Sequence, residues 1–119
     1  MEMIDFGNGH VVAAHESHGV TAHPLARSTS ASVTVLHVEE GGEIGRHPAP
    51  VDQLMVVTAG RGRVQSGSDD GDGGVWQEVT AGQAVLWHAG EHHVTRAAEP
   101  LTAVVIEVTS PLAAAPSPR

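Results

Sequence analysis

Gly41-Gly-Glu-Ile-Gly-Arg-His47-Pro-Ala49-Pro-Val-Asp-Gln53-Leu-Met-Val-Val-Thr-Ala-Gly60 and Gly82-Gln-Ala-Val-Leu-Trp-His88-Ala-Gly90-Glu-His92-His93-Val-Thr-Arg-Ala97 share one form. Each begins with a glycine, runs five residues, reaches a histidine-bearing turn and enters an apolar, β-branched run. Pro48 restricts the residue before it to extended backbone, so His47 sits at a strand end and not in a helix. On a strand, successive side chains alternate faces. Gln53, Met55 and Val57 therefore share one face, and His93 and Thr95 share one face of theirs, with His92 turned away.

Outward from these stretches the same pattern continues. Ser32 to Val38, Asp52 to Ala59, Gly62 to Ser66, Val75 to Thr80, Ala84 to Trp87, His92 to Ala97 and Thr102 to Val108 read as short strands. Turns are expected at Gly41–Glu43, Ala81–Gly82 and His88–Gly90, and a hairpin loop at Gly67–Gly74. No stretch of helical length keeps an apolar i, i+3, i+4, i+7 spacing. The strand Thr102 to Val108 is apolar on both faces: Val104, Ile106 and Val108 on one, Ala103 and Val105 followed by Glu107 on the other. Strands of that kind are buried on both sides. An all-β sandwich or barrel is expected, its outer face meeting a second sheet or a second subunit. Residues 30–109 form this barrel, residues 1–29 an N-terminal segment adding strands to it. Residues 110–119, with three prolines and no periodicity, are expected to be a disordered tail.

The two quoted stretches resemble the two motifs of the cupin superfamily. The first motif reads G-x5-H-x-H-x3-4-E-x6-G, and Gly41, His47 and Gly60 fall on its register, with Ala49 at the second histidine and Gln53 at the glutamate. The second reads G-x5-P-x-G-x2-H-x3-N, and Gly82, Gly90 and His93 fall on it, with His88 at the proline and Ala97 at the asparagine. The run Gly45 to Ala49 with Gln53 is similar to that of small bacterial single-domain cupins, here with a degenerate metal motif. The resemblance implies a jelly-roll β-barrel, the double-stranded β-helix, often dimeric, with a metal in its lumen. It places His47, His93 and Gln53 as the metal ligands.

This ligand set departs from three histidines and a glutamate. Ala49 supplies no donor atom, and an amide replaces the anionic ligand. Two imidazoles and an amide suit an imidazole-preferring divalent transition ion such as Zn²⁺, Ni²⁺, Fe²⁺, Cu²⁺ or Mn²⁺ better than Mg²⁺ or Ca²⁺. Open coordination positions would remain, as catalysis on a metal requires. His88, five residues before His93, is the candidate catalytic acid–base group at the rim or a substitute for the missing histidine; its blander reading is a rim residue with no role. Glu91 is a weaker candidate, and Arg46 is either an anion-binding group at the mouth or a solvated arginine. Trp87 is expected as core or cavity wall. His10, His15, His18 and His23 lie in a polar stretch and read as surface residues that bind metal adventitiously.

Composition excludes much else. There is no cysteine among 119 residues, hence no disulfide, thiolate metal site or thiol nucleophile. Six arginines and no lysine stand against 14 acidic residues, a net charge of −8. That surface repels phosphate backbones and anionic lipid, so neither nucleic acid nor membrane is an expected partner. No signal peptide is readable at Met1 to Asp5, and a cytoplasmic protein is the default expectation. Two function classes fit: a metal-dependent enzyme, dioxygenase-like or isomerase-like, on a small organic metabolite, or a non-catalytic cupin that binds a small molecule or serves as a dimeric module. A homodimer with a small-molecule ligand or substrate is the expected assembly.

Overall fold

Valine- and threonine-rich runs separated by glycine turns give nine strands among the described residues, 1–67 and 74–116 of a computed structural model. They are β1 (His10–Val11), β2 (His18–Arg27), β3 (Ala31–Pro48), β4 (Asp52–Ala59), β5 (Arg61–Gly67), β6 (Trp76–Thr80), β7 (Ala84–Trp87), β8 (His92–Ala97) and β9 (Leu101–Val108). One 3-10 turn, Ala14–Glu16, precedes β2. The middle of the expected hairpin loop, 68–73, and the end of the expected tail, 117–119, lie outside the described residues. Among the described residues no helix is long and apolar enough to cross a membrane.

All pairings are antiparallel, in the order β6-β5-β8-β3-β9-β4-β7, with β2 beside β3 and β1 beside β2. The sheet curls into a nearly closed jelly-roll barrel, as the sequence patterning predicts. β3 is its spine. Residues 31–38 pair with β9, and residues 43–48 with β8. The turn expected at Gly41–Glu43 is therefore not a turn: the strand runs through it. Gly41 takes φ +77°, a conformation that glycine adopts without the Cβ penalty, and the bend it allows carries β3 from one half of the barrel to the other.

Side chains alternate between the lumen and the outside. Met55, Val57, Val64, Val79, Trp87, Leu101, Ala103 and Val105 belong to the buried core. Ala49 is 2% exposed and joins it, so the position where the motif carries a histidine is used for packing. Its backbone ties the two motif turns together: Ala49 N–H donates to Glu91 O at 2.9 Å, and Gly90 N–H donates to Ala49 O at 2.8 Å. On the outer face, two apolar rows cross β3, β9, β4 and β7. Val33, Ile106, Leu54 and Leu86 are in register in one row, and Val35, Val104, Val56 and Ala84 in the next. At the start of the expected tail, Leu112 N–H donates to the Asp52 carboxylate at 2.8 Å.

Candidate functional site

A cavity of about 140 Å³ occupies the lumen. Its apolar wall is Leu36, Ile44, Met55, Trp87 and Val105, and its polar groups are Thr34, His47, Gln53, His93, Thr95 and Glu107. Strand alternation places most of these. One exception needs a separate device. Ile44 points inward, so plain alternation would turn His47, three residues later, outward. The β3–β8 register shifts between Ile44 and His47. This bulge inserts one extra residue, re-aims His47 into the lumen and leaves Arg46 on the outside.

His47 and His93 are thereby cross-strand partners, with ring centroids 4.5 Å apart. His47 Nδ1–H donates to Gly45 O at 2.7 Å, which fixes the tautomer and leaves Nε2 with a lone pair. His93 is 3% exposed, and neither ring nitrogen has a hydrogen-bond partner. Burial pushes its pKa down to about 3, and the electrostatic influence of the neighbouring His47, His92 and Arg46 adds to the effect. The ring is thus neutral at physiological pH, the form that ligates metal. Trp87 lies nearly flat against it, centroids 4.0 Å apart and planes 20° from parallel.

Gln53 is buried in the lumen beside them. Its Nε2 donates to Glu107 Oε2 at 3.1 Å, which leaves the carbonyl oxygen as its donor atom toward a metal. Glu107 was not singled out as a site residue from the sequence. The signal was present: it shares a strand face with Val105, which lines the lumen. Among the described residues, no three histidine, aspartate or glutamate side chains converge as a ready-made metal cluster. The donor set, two imidazoles and one amide oxygen, fits an imidazole-preferring divalent ion and not a hard ion that needs several carboxylates.

His88 is elsewhere. It follows Trp87 at the end of β7, its side chain is 63% exposed, and it does not line the lumen. Its Nδ1 pairs with Asp52 at 3.2 Å, on the face of β4 opposite Gln53. Asp52 also accepts from Ala89 N–H at 2.8 Å, and the hydrogen bonds from Leu112 and Ala89 hold its carboxyl below the usual range. Glu91 closes the same turn by accepting from His88 N–H at 3.0 Å and from Ser66. His88 therefore stands at the rim, one of the two places expected for it, and not in the place of the missing lumen histidine; Glu91 builds the same turn. His15, read from sequence as a surface residue, stacks on His47 with centroids 4.5 Å apart and planes 8° from parallel. No local pattern announces this contact, because the bulge and the 3-10 turn have to meet first.

An RmlC-like cupin from Shewanella frigidimarina superposes with a TM-score of 0.72 at 16% identity, over 92% of this chain and 93% of that one. The chain has the cupin fold. A protein described as a predicted oxalate decarboxylase from Thermotoga maritima aligns with a TM-score of 0.76 at 13% identity, over 92% of this chain and all (100%) of that one. A Bacillus halodurans protein aligns with a TM-score of 0.72 at 26% identity, over 93% and 89% of the two chains. No protein-family model and no curated protein matches the sequence.

Proposed function

We propose that this cupin binds a divalent transition-metal ion in its lumen through His47 and His93, with the Gln53 carbonyl oxygen as the third donor, and that the ion holds a small organic molecule. The observation that carries the reading is the unpartnered His93 ring. Two buried nitrogens without a partner are costly in an apolar wall, and a cation, a ligand or water must answer them. A bound ion would polarise an oxygen of the substrate. The chain's own residues do the rest. Trp87 and Met55 wall the cavity, Gly45 O orients His47, and Gln53 holds the Glu107 carboxylate at the cavity wall. A volume of about 140 Å³ limits that ligand to a small metabolite. Dioxygenase-like or isomerase-like chemistry is the enzymatic form of this reading.

A second reading draws support from the absence of a three-residue cluster of histidine and carboxylate ligands among the described residues. In it the cupin is non-catalytic, and the two imidazoles read one polar group of a small molecule directly. Elemental mass spectrometry of protein purified without a histidine tag separates the two. The metal reading expects near-stoichiometric transition metal, lost in a His47→Ala/His93→Ala variant. No specific metal after reconstitution selects the second reading.

The assembly belongs to the same proposal. The rows Val33-Ile106-Leu54-Leu86 and Val35-Val104-Val56-Ala84 form a continuous apolar sheet face, Val35 already buried within it. A second copy of the chain covers it, giving a homodimer.

A further inference from the structure

Behind the lumen, on the outer face of β3, β8, β5 and β6, lies a larger pocket of about 510 Å³. Its floor is set by strand register. Trp76, Gln65 and Val94 form one row, and Glu78, Arg63, Arg96 and Glu43 the next. The bulge that turns His47 inward turns Arg46 into this pocket, and His15 and Glu16 of the 3-10 turn close its side.

The charges on this face do not all find partners. Arg96 donates to Glu43 at 2.5 Å and stacks over the Trp76 ring at 4.6 Å. Arg46 Nη2 donates to Gln65 Oε1, but Arg46 Nη1 is buried and has no acceptor. A guanidinium is always charged, and a buried N–H of a charged group left without an acceptor is costly. The Arg46 side chain lines the cavity beside the wall that Arg96 and Trp76 form.

We infer that this outer pocket is a second binding site, for the oxyanion group of a small organic molecule, with the Arg46 guanidinium as its anchor once its buried Nη1 turns toward the ligand. The assignment does not depend on what the lumen holds. Charge selects within the class. Glu43 and Glu16 line the same pocket, so a second negative charge on the ligand meets repulsion, and a monocarboxylate is preferred to phosphate. Trp76 and Val94 offer the carboxylate's carbon body an apolar surface.

The test is titration of the full chain with benzoate and, separately, with inorganic phosphate, followed by amide and arginine side-chain NMR shifts at matched ionic strength. Saturable benzoate shifts confined to residues 43–46, 65, 76 and 94–96 are expected, with phosphate weaker. Arg46→Gln should weaken binding by at least about tenfold, Arg46→Lys by less, and Arg27→Gln, remote from the pocket, should have no effect. Phosphate binding tighter than benzoate, with the same map, would support the site and overturn the carboxylate preference. Shifts that track salt alone, that map to the lumen residues Met55 and Val105, or that persist in Arg46→Gln would overturn the site. If Arg46→Gln does not fold, the wild-type shift map and Arg46→Lys decide.

Discussion

Gln53 and Glu107 stand directly opposite each other on β4 and β9, and the amide of the first donates to the carboxylate of the second at 3.1 Å. The amide is therefore not a simple loss of the motif glutamate. A carboxylate from the neighbouring strand occupies the same wall, and an amide beside it is satisfied where a second carboxylate would be repelled.

Gln53→Glu places two carboxylates at one site, so one must take up a proton or both must share a cation. In metal-free protein the variant should lose about 1–2 kcal/mol above neutral pH. Added Mn²⁺ or Zn²⁺ should restore it, and more so in Gln53→Glu/Ala49→His. Thermal melts at pH 5 and pH 8, with and without metal, check this; a variant insensitive to both pH and metal would refute the pairing.

The depressed pKa of His93 makes stability depend on pH in a definite direction. The folded protein leaves the ring neutral down to about 3, whereas the unfolded chain protonates it near its ordinary value of 6.5. Unfolding therefore takes up a proton between those limits. The His93 contribution favours unfolding progressively as pH falls from about 6.5 toward 3, by up to about 1.4 kcal/mol per pH unit. With chelator present, denaturant unfolding of wild type and His93→Gln should show this acid-limb slope only in the wild type.

Gly45 is the one residue that fits beneath the 3-10 turn. A Cβ placed there would lie 1.7 Å from His15 O, and Ser17 Oγ accepts the Gly45 N–H at 2.9 Å. Gly45→Ala must displace the turn or the bulge, and should cost about 1–3 kcal/mol. Ser17→Ala should cost about 1 kcal/mol. Chemical denaturation gives both, and the His47 ring resonances should move in Gly45→Ala because its stacking partner His15 moves.

Leu54 sits near the middle of the outer apolar rows. Wild-type protein should elute with twice the 12.3 kDa chain mass in light-scattering chromatography. Leu54→Arg buries a charge in that contact and should give a folded monomer. A monomeric wild type would remove the second copy from the proposal.

What the residues alone determined is the barrel and the inward face of its strands. Period-two alternation in Asp52 to Ala59 and His92 to Ala97 fixes which side chains enter the lumen, since a pleated strand permits only two directions. Glycine turns at Gly60, Ala81–Gly82 and His88–Gly90 fix where β4, β6 and β7 stop. Tertiary structure decided everything that depends on two segments meeting. The bulge that aims His47 inward is visible only against β8. His88 stands at the rim because Asp52, on the far face of β4, holds it there, and Glu107 enters the lumen because β9 lies beside β4. The Gly41–Glu43 segment reads locally as a turn, yet its glycines bend a continuous strand whose pairing with β8 outweighs local preference. His15 reaches His47 only when the 3-10 turn crosses the bulge. Local sequence sets the face on which a side chain lies; the partner it finds there is set by chain segments distant in sequence and packed in space.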